Sequence, residues 1–154
     1  MFCTDAAHDN LYVSHSLPTP HSGSSGIQPA AHAKSILLIE DSEFERFTIR
    51  AALEGLTNYR VCGEATNGAE GVKKAAELKP DLVIMDLAMP LMNGLEAAAL
   101  LKNAMPRVPI IMLTLYAEQL HKPMSPAFGV ATVLSKSDGL APLLETVEKL
   151  LGPA

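Results

Sequence analysis

Ile36-Leu37-Leu38-Ile39-Glu40-Asp41-Ser42 decides the reading of this chain: an apolar run stops on two carboxylates, and a serine suited to cap a helix follows. The same punctuation recurs. Leu82-Val83-Ile84-Met85 stops on Asp86, and Val133-Leu134-Ser135 stops on Lys136. Short runs that are apolar on both faces belong to parallel strands covered by helices on each side. In such a sheet the strand ends of one edge border a common crevice, which is where α/β folds take their ligands. Glu40, Asp41, Asp86 and Lys136 are therefore expected to meet as three carboxylates and one ammonium.

Between these landmarks strand and helix signals alternate from Lys34 onward. A strand at 35–40 leads into a helix that starts near Ser42, with Ser42 and Glu45 as a capping-box pair and Ile49, Ala52, Leu53 and Leu56 as its apolar face. Tyr59 to Ala65 reads as a less apolar edge strand, since it carries Arg60 and Glu64. Asn67, with Glu70 three residues on, caps a helix ending at Lys79-Pro80. The strand from Leu82 to Met85 is the central one. Asn93 and Glu96 open the next helix, which stops before Pro106. Strand four is Val108 to Leu113, with Pro109 at its start where a missing donor is tolerated. Strand five is about Ala131 to Leu134. The last helix begins at Ser137, carries the stripe Leu140, Leu143, Leu144, Val147, Leu150 and Leu151, and accepts Pro142 in its first turn. Five β-then-α units of about 20–30 residues each imply one doubly wound α/β domain over residues 34–151, with helices on both faces of a parallel sheet.

Bulk properties narrow the function. The chain has 154 residues and a net charge of −5. An acidic balance argues against direct binding of nucleic acid, which needs clustered Lys and Arg. No apolar run approaches the roughly 20 residues of a membrane span, and the N-terminus has no secretory h-region. Cys3 and Cys62 read as free thiols of a reducing cytoplasm. Residues 1–33 are rich in Ser, Pro, Gly and His and read as a disordered tail. Its histidines (His8, His15, His21, His32) match no ligand spacing. No output domain is expected after Ala154; a DNA-binding one would need roughly 60 more residues. Output is then expected to pass through protein contacts.

The chemistry of the landmarks is specific. Three crowded carboxylates repel unless a cation intervenes, and Mg²⁺ takes such oxygen ligands while neutralising phosphoryl oxygens. Lys136 adds a second positive group. Thr114, at the end of strand four, offers a hydroxyl to a phosphoryl oxygen. A carboxylate is an accepted nucleophile for phosphoryl transfer, with positioning and charge neutralisation supplying most of the rate.

Glu40-Asp41, Asp86 with Met89-Pro90 and Asn93-Gly94, Thr114, and Lys136 together resemble the receiver domain of two-component response regulators, over about residues 34–151. The resemblance implies a flavodoxin-like five-stranded sheet of order 2-1-3-4-5. It implies that Asp86 takes a phosphoryl group from a histidine of a sensor kinase or phosphotransfer protein. Mg²⁺ would be held by Asp41, Asp86 and the backbone carbonyl of Ala88, with Glu40 acting through a metal-bound water or its longer reach. Thr114 and Lys136 would contact the phosphoryl group. Such domains catalyse their own phosphorylation and slow hydrolysis rather than turning over a substrate, and they often form homodimers.

Three features depart from the family pattern. Val133 stands where an aromatic residue usually turns inward on activation. Leu115 follows the threonine where a small residue is common, and would narrow access. Pro123 and Pro126 would shorten or break the helix before strand five, in a region where Tyr116 and Phe128 are candidate partner anchors. Val133 and Leu115 motivate an alternative, a receiver-like interaction module that is not phosphorylated. An aspartyl phosphohydrolase is disfavoured because the position two after Asp86 is Ala88, which cannot transfer a proton.

Overall fold

The computed structural model describes residues 32–119 and 128–153. The expectations for the tail through residue 31 and for Pro123 and Pro126 lie outside the described residues. Five strands, β1 (Ser35–Ile39), β2 (Arg60–Ala65), β3 (Leu82–Met85), β4 (Ile110–Thr114) and β5 (Thr132–Ser135), pair in parallel in the order β2-β1-β3-β4-β5. The α-helices among the described residues are α1 (Glu43–Leu56), α2 (Gly68–Leu78), α3 (Gly94–Ala104) and α4 (Ala141–Leu151). This is the flavodoxin-like order expected, with β3 central and β2 at an edge.

Side chains alternate across a strand, so each apolar run supplies two cores. Ile36 and Leu38 of β1, Ile84 of β3, and Ile111 and Leu113 of β4 pack with Ile49 and Leu53 of α1 and Leu143 and Val147 of α4. Leu37, Ile39, Val83, Met85, Ile110 and Met112 pack on the opposite face with Ala75 of α2 and Ala97, Ala98 and Leu101 of α3. That is why the runs lack polar alternation: both faces are covered.

The helix starts follow the sequence signals, with instructive differences. Asn93 and Glu96 form a complete capping box on α3. Asn67 Oδ1 accepts from the Glu70 amide at 2.9 Å. On α1 only half of the expected box forms. Ser42 Oγ accepts from Glu45 N at 3.4 Å, but the Ser42 amide donates to Glu40 Oε1 at 3.1 Å, and the Glu45 carboxylate is engaged elsewhere.

Leu56, expected in the core stripe, is 73% exposed. Tyr59 fills the core at that end of α1 instead, with its hydroxyl donating to the Gly152 carbonyl. The last helix does not begin at Ser137. Lys136–Asp138 form a single 3-10 turn, Gly139 takes φ 78°, and α4 starts at Ala141 with Pro142 in its first turn. A positive φ interrupts a right-handed helix, and glycine is the residue that adopts it freely. Strand four starts at Ile110, after Pro109, and runs one residue further than expected, to Thr114. Phe128 packs against the second core rather than standing free as an anchor, whereas Tyr116 is 45% exposed.

The loop after β3 folds back tightly. Met92 N donates to Pro90 O at 2.8 Å and Gly94 N to Leu87 O at 2.9 Å, with Leu91 at φ 66°. A Cβ on Gly94 would stand 2.3 Å from the Asp86 carbonyl oxygen. Gly94→Ala is therefore expected to destabilise the domain by about 1–3 kcal/mol, read as a lower midpoint in denaturant unfolding. Gly55 provides the contrast, since a Cβ there would meet nothing within 4 Å. Gly55→Ala should stabilise by about 0.5–1 kcal/mol.

Candidate functional site

Backbone pairing sets the site. The parallel ladder runs one residue past the formal strand ends, with Glu40 N donating to Ala65 O at 2.9 Å and Asp86 N to Ile39 O at 3.0 Å. Both carboxylates are thereby fixed at the carboxyl edge of neighbouring strands. Thr114 ends β4 and pairs in register with Ser135, so Lys136 emerges beside it. Glu40, Asp86 and Thr114 are the buried polar side chains among the described residues. Buried carboxylates are rare unless paired, and all three buried polar groups lie at this one edge.

Glu40, Asp41 and Asp86 each offer a carboxylate oxygen, and the three oxygens lie within 4.8 Å of one another. Asp86 is gripped from two sides. Its Oδ1 accepts from Leu87 N at 2.6 Å and from Ala88 N at 3.4 Å, while its Oδ2 lies 3.1 Å from Lys136 Nζ. The same ammonium donates to Glu40 Oε2 at 2.7 Å and to the Glu45 carboxylate. Thr114 is fully buried, and its hydroxyl accepts from Tyr116 N at 3.2 Å. Leu115 beside it is 62% exposed, and Val133 packs against the second core.

The electrostatics follow from burial. Removal from water pushes the Glu40 carboxyl up from 4.5 to about 7, although its hydrogen bonds to Lys136 and to the Ser42 amide pull the other way. Burial alone would lower Lys136, but its hydrogen bonds to Glu40 and Glu45 and the charge of Asp86 hold it well above the usual lysine range. Lys136 is thus a permanent ammonium, and it neutralises only part of an anionic cup.

The donor set suits a hard divalent cation. Three carboxylates with no imidazole or thiolate among them select Mg²⁺ or a similar ion over zinc or copper. Ligand oxygens on an octahedral Mg²⁺ are about 3 to 4.2 Å apart, and the observed spread needs little closure to reach that.

Two contributors are hidden in the sequence. Glu45 has the position of a capping residue, which masks its reach to Lys136. Arg46 donates from Nη1 to the carbonyls of Glu40 at 2.8 Å and Asp41 at 3.1 Å, and its Nε lies 3.4 Å from Glu64 Oε2. It clamps the turn that presents the acidic pair. A signal does exist: an arginine near the N-terminus of a helix opposes the macrodipole and calls for local acceptors.

Comparison with known proteins agrees with this fold. The family model described as the response regulator receiver domain matches residues 36–148. The response regulator protein VraR of Staphylococcus saprophyticus is 33% identical over 114 residues, covering 74% of this chain and 54% of that protein. The chain thus spans about half the length of the curated relatives it matches. Among solved structures, the response regulator domain of Thermotoga maritima CheB superposes with a TM-score of 0.68 at 29% identity, covering 79% of this chain and 96% of that one. A LuxR-family two-component response regulator from Aurantimonas sp. SI85-9A1 superposes with a TM-score of 0.73 at 26% identity, covering 79% and 87%. Strand order, the acidic edge with its lysine, and these matches carry one conclusion: the chain belongs to the response regulator receiver family of two-component systems.

Proposed function

We propose that the domain over residues 34–151 accepts a phosphoryl group on Asp86 from a phosphohistidine of a sensor kinase or phosphotransfer protein, and signals through protein contacts in the cytoplasm. The observation that carries this reading is the placement of Asp86. It ends the central strand, is oriented by two backbone amides through Oδ1, and faces Lys136 through Oδ2.

In the transfer, an Asp86 oxygen attacks phosphorus while the bond from phosphorus to the donor imidazole breaks, and that bond's electron pair stays on the imidazole nitrogen. Charge accumulates on the phosphoryl oxygens as this happens. Lys136 supplies a fixed positive charge beside them. Thr114, turned outward from its present bond to the Tyr116 amide, supplies a hydroxyl donor. Asp41, Asp86 and the Ala88 carbonyl would hold Mg²⁺, with Glu40 behind them, and the bound ion would neutralise phosphoryl oxygens. Ala88 at the position two beyond Asp86 leaves no side-chain acid or base there, so the domain serves as an acceptor rather than a turnover enzyme. Aspartyl phosphate then biases the Thr114 and Lys136 region between two arrangements, the local event that a partner reads.

Incubating the chain with acetyl phosphate and Mg²⁺ should give an alkali-labile phosphoryl adduct on Asp86, absent from Asp86→Asn and reduced at least tenfold in Lys136→Ala. A chain that stays unmodified by acetyl phosphate and by every candidate histidine kinase would instead behave as a phosphate-independent interaction module. Metal binding and pH give a second check. The folded Glu40 value of about 7 lies above the ordinary 4.5. Between those values the folded chain keeps a proton that the unfolded chain has lost, so stability from this group is full below 4.5 and falls as pH rises to 7. The effect is on the order of 3 kcal/mol at most. In metal-free buffer the melting temperature of the wild type should fall relative to Glu40→Gln across that window. Mg²⁺ should raise the wild-type melting temperature near neutral pH, and Asp41→Asn should weaken Mg²⁺ binding about tenfold or more.

A further inference from the structure

Lys136 carries three N–H donors and no more. In this structure all three are matched by carboxylates: Glu40, Glu45 and Asp86. No donor remains for a phosphoryl oxygen, so one of the three contacts has to open before the ammonium can serve a phosphorylated Asp86. Glu40 is fixed by the strand ladder and is 2% exposed, and the donor on Asp86 can pass to the phosphoryl group while the ammonium stays anchored towards α1. Glu45 differs from both. It sits on the first turn of α1, its side chain is 34% exposed, and it spends its carboxylate on Lys136 rather than on the capping box that its position offers.

The geometry points to Glu45 as a restraining residue that holds the Lys136 ammonium on the α1 side of the cup, so that its release precedes productive contact with the phosphoryl group. This rests on the reading of Asp86 as phosphoacceptor and adds a step to it. The path for release is open. Glu45 and Lys136 line one groove of about 250 Å³ with Phe44, Thr48, Leu113 and Leu140, so the pair can separate without disturbing the core. When the Asp86 oxygen bonds to phosphorus and the donor departs with its electron pair, new negative charge appears beside Asp86. It draws the ammonium away from Glu45. The Glu45 end of the pair is 34% exposed while Lys136 is 11% exposed, so water reaches the pair from the Glu45 side and the new charge of a phosphoryl dianion can overcome the restraint.

The test compares wild type, Glu45→Gln and Glu45→Asp as full chains, phosphorylated by acetyl phosphate at saturating Mg²⁺ so that altered metal affinity does not enter. Glu45→Gln should phosphorylate about two-fold faster or more, exposed pairs setting the lower end of the scale. Glu45→Asp, with the charge kept on a stem one methylene shorter, should lie between Gln and wild type. The nitrogen resonance of the Lys136 ammonium supplies a readout that fold stability does not move. In the unphosphorylated wild type its protons should exchange slowly, and in Glu45→Gln faster. On phosphorylation the wild-type signal should shift towards a position shared by both chains. Equal or slower phosphorylation of Glu45→Gln, with an unchanged Lys136 resonance, overturns the restraint and leaves the Asp86 reading standing. A wild type that takes no phosphoryl group on Asp86 overturns both.

Discussion

The arrangement depends on one ammonium held against carboxylates at the end of a sheet. Lys136 brings a positive charge from β5 to groups at the ends of β1 and β3, and a first-turn residue of α1 joins them. Without it, Glu40 and Asp86 would be buried anions facing one another, a placement that costs several kcal/mol per ion. Even with it, removal from water raises the Glu40 carboxyl to about 7. Glu40, Asp41 and Asp86 still gather three carboxylates against that one ammonium, a donor set that suits a divalent cation.

The rest of the fold holds these groups in register. The ladder reaches Glu40 and Asp86 through hydrogen bonds to Ala65 and Ile39, so their backbone positions are as rigid as the central sheet. The runs beneath them are packed on both faces. Side chains on strand ends of this kind inherit the precision of a close-packed interior. The loops are held as firmly. Arg46 clamps the turn after β1 through two carbonyls, and Gly94 lets the turn after β3 close onto the Asp86 backbone.

Much of this is legible in the sequence because the governing patterns are local. Apolar runs ending on Glu40, Asp86 and Lys136, together with Asn93 and Glu96 as a capping pair, mark strand ends and helix starts with little room for alternatives. Where the sequence misleads, a local rule meets a competing long-range partner. Glu45 fits a capping box, yet its carboxylate gains more from Lys136 across 91 positions of chain. Leu56 completes an apolar stripe, yet Tyr59 occupies the core at that end of the helix. Ser137 looks like a helix start, yet Gly139 delays the helix to Ala141.

Local sequence is enough for the strand-helix alternation and for the polar residues at the strand ends, Glu40, Asp41, Asp86, Thr114 and Lys136. Those are properties of short windows, where periodicity and capping act on neighbouring residues. Which oxygen each donor meets emerges only in the folded chain: all three Lys136 protons are taken, Arg46 serves the acidic turn, and the Thr114 hydroxyl accepts from the Tyr116 amide. Such pairings join residues distant in the chain, and their geometry follows from sheet order, twist and packing, which no short window encodes.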